Sequence, residues 1–229
     1  VLDLFCGCGG LALGFKQAGF NIVGGIDHDA KAIETFFRNF NTGWVDDLNG
    51  KEWIENFQKK TGNKTIDVLI GGPPCQGFSL TGTRKFDDER NQLYNAMFRG
   101  AIELQPSVIV IENVRGMSTL YNGAAKKQVI EKLESLDYRV QTKILDSANY
   151  GVPQHRLRLF FVATKPGILF DWPVETHKKG SYITCEDALS DLPSMENDVL
   201  SNTADYLSDP KSSYQVKMRK GSKIITNHK

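Results

Sequence analysis

Val1-Leu2-Asp3-Leu4-Phe5-Cys6-Gly7-Cys8-Gly9-Gly10 opens the chain, and its apolar start reads as a short strand that runs into a glycine loop. Leu11, Phe15 and Ala18 follow at helical spacing, and Gly19 supplies a stop. Gly7, Gly9 and Ala12 fit the G-x-G-x-x-G/A pattern, in which missing side chains let a ligand reach the backbone at a helix N-terminus. Asn21 to Ile26 reads as a second strand ending in Asp27. That acid stands about 20 residues after Gly7, where a ribose-binding carboxylate is expected. A dinucleotide and S-adenosylmethionine both carry a ribose, so these residues leave the ligand open.

The same alternation continues outward. Asp29 is placed to cap a helix through Ala32, Ile33, Phe36 and Phe37 that ends near Asn39. Trp44-Val45 reads as a third strand followed by Asp46 and Asp47, Lys51 to Gln58 as a helix, and Ile66 to Ile70 as a fourth strand. A helix over Gln92 to Leu104 leads to a fifth strand, Ser107 to Ile111, which ends in Glu112-Asn113-Val114. After a helix over Ala124 to Leu136, Tyr138 to Leu145 reads as a strand, and Gln154 to Val162 as an alternating strand with Arg156 and Arg158 on one face. Strands alternating with helices predict an α/β fold with a doubly wound, mostly parallel sheet, whose ligand crevice lies outside the carboxyl ends of the strands. Beyond Lys165 the periodicity fades, giving an expected division into 1–165 and 166–229, with a helix near 181–192 capped by Thr184.

Between the fourth strand and the next helix stands Gly71-Gly72-Pro73-Pro74-Cys75-Gln76-Gly77-Phe78-Ser79. Two prolines fix φ near −65° and extend the residue before each, so the turn presents one thiol rigidly at a strand end. Such a thiol is a candidate nucleophile, against the plainer reading of a cysteine packed as a small hydrophobe. The following stretch to Arg90 is polar, with Arg84 and Lys85 among acids, and reads as a loop able to close over a substrate.

Composition sets outer bounds. With 40% hydrophobic and 24% charged residues among 229, the chain reads as an ordinary soluble protein. No apolar run approaches the roughly 18 residues of a membrane span. The four cysteines lack the paired spacing of a zinc site, so no metal is expected, and a reducing compartment is read. Net charge is only +1, but from Lys211 onward Lys211, Lys217, Arg219, Lys220, Lys223 and Lys229 stand without an acid, a local surplus suited to phosphate. The chain opens on a strand without Met and closes without a helix stop, which reads as a segment of a longer protein.

Phe5-x-Gly7-x-Gly9-Gly10, Asp27, Asp47, Pro74-Cys75-Gln76, Glu112-Asn113-Val114 and Gln154-x-Arg156-x-Arg158, in this order, resemble the DNA cytosine-C5 methyltransferase family over roughly residues 1 to 165. The resemblance implies a Rossmann-like fold dependent on S-adenosylmethionine, with S-adenosylhomocysteine as product, and the start of a smaller target-recognition domain. It implies that Cys75 attacks C6 of a flipped-out cytosine, that Glu112 holds the N3 edge, that Arg158 with Arg156 nearby meets the base O2 and phosphates, and that Asn113 positions the proline-cysteine loop. Phe5, Gly7, Gly9, Gly10, Asp27, His28, Asp47 and Pro74 would line the cofactor, and Gln76, Ser79, Arg84 and Lys85 would meet the nucleic acid. Asp27 and His28 replace the family's usual Glu and Trp, and its closing Gly-Asn segment is not found, as expected if the sequence stops short. The implied substrate is double-stranded DNA, methylated by a monomer in the bacterial cytoplasm, on the nucleoid, of either the restriction-modification type, with a cognate restriction endonuclease, or the orphan type. A tRNA-methylating branch, a non-catalytic DNA-binding relative and, for the first 30 residues, an NAD-dependent oxidoreductase are the alternatives.

Overall fold

The computed structural model describes residues 1–74, 92–193 and 203–226. The chain divides into two compact units, Val1–Ile144 with Arg158–Asp171, and Leu145–Leu157 with Trp172–Lys229.

The first unit is built on strands β1 (Leu2–Leu4), β2 (Gly24–Asp27), β3 (Trp44–Val45), β4 (Val68–Gly71) and β5 (Val108–Val114). They alternate with helices α1 (Gly10–Gln17), α2 (Ala30–Phe40), α3 (Glu52–Thr61) and α4 (Gln92–Leu104), and α5 (Ala124–Glu134) follows β5. With β6 (Arg139–Asp146) and β7 (Leu157–Thr164), the sheet order is β3-β2-β1-β4-β5-β7-β6. The first five strands are parallel, whereas β7 enters antiparallel to β5. The sheet is therefore doubly wound and mostly parallel.

Strand residues alternate between its two faces. Leu2, Leu4, Leu69, Ile109 and Ile111 join Trp53, Phe57, Met97, Val129 and Leu133 in one core. Val68, Ile70, Val108 and Val110 join Ala12, Ile33 and Phe36 in the other. β4 and β5 are apolar on both sides because helices cover both, α3, α4 and α5 on one and α1 and α2 on the other. Each fully buried Leu, Ile or Phe contributes about 1.5–3 kcal/mol. Local chemistry sets the helix ends: the Asp29 carboxylate accepts the Lys31 and Ala32 N–H groups at 2.8 and 3.3 Å, and Asn41 closes α2 in the left-handed region.

Two expectations need correction here. β5 continues through Val114, so Glu112 and Asn113 lie inside a strand, paired to β7, and not beyond its end. β7 begins only at Leu157, so Arg156 is not on a strand face beside Arg158. The reason is local: the Asp146 carboxylate accepts the Ala148 N–H at 3.2 Å and the Arg156 N–H at 3.0 Å and lies 2.7 Å from His155 Nδ1, which curls the preceding segment into a loop.

The second unit holds α6 (Cys185–Leu189), α7 (Ser213–Arg219) and the two-stranded pair of β8 (Thr203–Asp205) with β9 (Ile224–Thr226). Thr184 and Asp187 form a reciprocal capping box on α6. Asn149 ties Leu145–Leu157 into this unit through its side-chain bonds to Glu175 and Tyr182, at 2.9 and 3.0 Å. Arg219 does not belong with the solvated cations of the basic stretch. It bonds the buried Asp191 at 2.6 and 2.8 Å and its guanidinium stacks 3.7 Å from the Tyr206 ring centroid.

Candidate active site

The strand order reverses direction of winding between β1 and β4, which places a topological switch point beside the carboxyl ends of both. On one side of it stands the glycine loop. Phe5 leaves β1 at φ 56°, a left-handed conformation costly for an aromatic residue, with its ring packed against the core beneath α3, α4 and α5. At Gly7, also left-handed, and at Gly10 no atom of the described residues lies within 4 Å of where a Cβ would stand, so among them that side of the loop is open to a ligand. Gly9 faces the other way, and a Cβ there would run into the Phe40 ring.

Asp27, only 8% exposed, closes the loop from β2. Its Oδ2 accepts the Gly7 N–H at 2.8 Å and its Oδ1 the Asp29 N–H at 3.0 Å. A carboxylate offers about four lone-pair positions, so room remains for hydroxyl groups such as those of a ribose. His28 Nδ1 lies 3.1 Å from the same carboxylate, with its side chain 86% exposed. From β3, the Asp46 N–H bonds the Asp27 carbonyl at 3.1 Å, which brings Asp47 to the same edge. Asp47 is exposed and accepts the Asn49 N–H at 2.9 Å. The residues after it are held from α4, where Arg99 Nη2 donates to the carbonyls of Leu48 and Asn49 at 2.8 and 2.9 Å.

Beneath this loop lies a residue that sequence reasoning missed. Asp3 sits between Leu2 and Leu4 on β1, 1% exposed, and its Oδ2 has no hydrogen-bond partner among the described residues. Burial pushes its carboxyl up to about 8, opposed by the Ala12 N–H bond and reinforced by the charge of Asp27. The Ala12 bond gives α1 a cap from the sheet, since Gly9 at its N-cap has no side chain to offer. The neighbouring Cys6 thiol is likewise pushed up, first by burial and then by Asp3 and Asp27, which makes it a poor nucleophile. An acid within an otherwise apolar strand was the available signal.

Across the switch point, Glu112 and Arg158 meet. Arg158 lies opposite Val114, two residues from Glu112 along β5, and this diagonal pairing lets Arg158 Nε donate to Glu112 Oε1 at 2.8 Å. Both side chains keep partial access to solvent, at 22% and 28% exposure. The second oxygen, Oε2, faces the end of β4: a Cβ on Gly72 would stand 3.3 Å from it. Asn113, the next residue, points to the opposite face and is buried. Its Nδ2 donates to the Pro73 carbonyl at 2.8 Å, while its Oδ1 accepts the Val114 N–H at 2.8 Å. Pro73 is buried and Pro74 exposed.

The site thus assembles Phe5, Gly7, Gly10, Asp27, His28 and Asp47 around the first three strand ends, and Pro73, Glu112, Asn113 and Arg158 around the next. Arg156 groups with the second unit and is exposed. Cys75, Gln76, Ser79, Arg84 and Lys85 lie outside the described residues. Among the described residues no helix is long and apolar enough to cross a membrane.

Comparison with known proteins agrees with the doubly wound, mostly parallel fold. The family model described as C-5 cytosine-specific DNA methylase matches residues 1–229. The chain is 35% identical to the Type II methyltransferase M.AgeI of Thalassovita gelatinovora, over 100% of this chain and 59% of that protein. It is 36% identical to M.DdeI of Desulfomicrobium norvegicum, over 100% and 56% respectively. It therefore spans somewhat more than half the length of these relatives. A solved structure described as a DNA modification methyltransferase encoded within a prophage (E. coli) superposes with a TM-score of 0.74 at 30% identity, over 100% of this chain and 72% of that one. The DNMT2 of Spodoptera frugiperda, at 22% identity, TM-score 0.57, and 77% and 53% coverage, shares the fold. With its switch-point crevice and matching family model, the chain belongs to the C-5 cytosine-specific DNA methylase family.

Proposed function

We propose that the protein methylates carbon 5 of a cytosine within double-stranded DNA, as the modification partner of a type II restriction endonuclease. The observation that carries the reading is the Glu112–Arg158 pair at 2.8 Å beside Gly72, three residues before Cys75 in the chain. Cys75 would add through its thiolate to C6 of a base turned out of the helix, forming an S–C6 bond and making C5 electron-rich. Glu112, held through Oε1 by Arg158, would present Oε2 to the N3 edge and pass a proton to N3 as negative charge develops there. Once C5 carries the transferred methyl group, loss of its proton to a base breaks the S–C6 bond, returns the Cys75 thiolate and, with the N3 proton handed back to Glu112, restores the aromatic ring.

S-adenosylmethionine fits the opposite side of the crevice and would supply an electrophilic methyl group there. The open side of Gly7 and Gly10 admits the ligand close to the backbone, Asp27 keeps acceptor positions for ribose hydroxyls, and Asp47 and His28 stand at the same edge for the adenine. Exposed Lys211, Lys217 and Lys220, with Lys223, supply phosphate-binding charge in the second unit.

The test uses the full-length protein and duplex DNA carrying 5-fluorocytosine at its target cytosine. Fluorine cannot leave as the C5 proton does, so a covalent complex should accumulate with cofactor present and be absent for Cys75→Ser. Methyl transfer to tRNA but not to DNA would overturn the choice of substrate, and equal trapping by Cys75→Ser would overturn the nucleophile.

A further inference from the structure

We infer that Tyr94 is a positioning residue for the reaction proposed above, an inference that rests on that reading: its hydroxyl sets the Asn113 amide, and that amide holds the backbone leading to Cys75. Tyr94 is the third residue of α4 and is 2% exposed. Its hydroxyl donates to Met117 Sδ at 3.0 Å and accepts from Asn113 Nδ2 at 2.5 Å. The second hydrogen of that same nitrogen goes to the Pro73 carbonyl at 2.8 Å, and Oδ1 accepts the Val114 N–H.

The direction of this chain of bonds follows from its far end. A thioether sulfur has no hydrogen to give, so the phenol must give its own to Met117. It is then left only lone pairs to offer Asn113. An amide whose NH2 is drawn toward both Pro73 and Tyr94, and whose oxygen is engaged by Val114, has one favourable orientation out of two. Pro73 and Tyr94 flank the stretch 75–91 in sequence, so a single buried side chain joins the backbone before it to the helix after it. Pro73 precedes Cys75 by two residues in sequence, so holding the Pro73 carbonyl holds the backbone from which that residue departs.

A Phe at position 94 would keep the ring and its packing but leave one Asn113 hydrogen buried without an acceptor. In the full-length protein, Tyr94→Phe should lower kcat for DNA methylation and the rate of covalent trapping by about tenfold, as small misplacements near reacting groups do. Affinity for S-adenosylmethionine, measured by calorimetry, should stay within twofold. Amide exchange in the peptides carrying Gly72 and Val114 should rise at least fivefold. Met117→Leu, which keeps volume and removes the orienting acceptor, should move kcat, trapping and exchange in the same direction by a smaller factor, with cofactor affinity again unchanged, and guards against a folding defect. Unchanged kcat and unchanged exchange in both variants would overturn the inference, as would a parallel loss of cofactor affinity. An unmodified protein that neither methylates nor traps DNA would instead refute the proposed function, while the exchange measurement would still judge the tie between Tyr94, Asn113 and Pro73.

Discussion

Replacing Asp3 by Asn should stabilise the protein at neutral pH, by an amount that grows with pH. An unfolded aspartate releases its proton near 3.8, whereas the folded Asp3 keeps it up to about 8. Between those limits the unfolded state binds fewer protons, so stability falls as pH rises, by about 1.4 kcal/mol for each unit. At pH 7 the accumulated cost of a protonated Asp3 is therefore about 4 kcal/mol, and at pH 5 under about 2 kcal/mol. Asn carries no such cost. It can still accept the Ala12 N–H, but it sets an amide nitrogen where Oδ2 finds no partner, a penalty of about 1–3 kcal/mol. The two curves should cross near pH 5 to 6, with Asp3→Asn more stable by about 1–3 kcal/mol at pH 7. Urea unfolding at half-unit intervals from pH 5 to 8 measures this directly. A difference constant across that range, or an Asn variant less stable at pH 8, would show that Asp3 is ionised and paired, refuting the reasoning.

Two further substitutions probe the two sides of the crevice. Arg158→Ala frees Glu112 Oε1 and should lower kcat by about a hundredfold or more, with S-adenosylmethionine affinity unchanged by calorimetry; a proportional loss of both would mean that the pair is structural. Asp27→Ala removes the acceptor for the Gly7 and Asp29 N–H groups together with the ribose-facing positions, so cofactor affinity should fall at least about tenfold while Asp27→Asn retains an intermediate level. Equal affinity in all three proteins would exclude Asp27 from the cofactor site.

What was legible in the chain was local. The alternation of apolar runs with capped helices marks every element of the first five-strand stretch, and Asp29 and Thr184 cap their helices because a short polar side chain before an amphipathic run has little else to do. What was hidden depends on partners far away in sequence. The antiparallel entry of β7 beside β5 brings Arg158 to Glu112 across 46 residues, and an alternating strand carries no mark of its direction. Nothing in the sequence singles out Tyr94, since its hydroxyl partners come from β5 and from the turn after it. Arg219 looked like part of a basic surface, since nothing in the sequence links it to Asp191, 28 residues away.

Glu112 and Asn113 serve opposite sides of the sheet from consecutive positions on one strand. This makes β5 intolerant of any change in length. Deleting or inserting one residue between Val108 and Glu112 would exchange the two side chains between faces, sending the amide toward Arg158 and the acid under α4. Composition there can drift among Val, Ile and Leu, but the count of residues cannot, so variation within this strand should consist of substitutions alone.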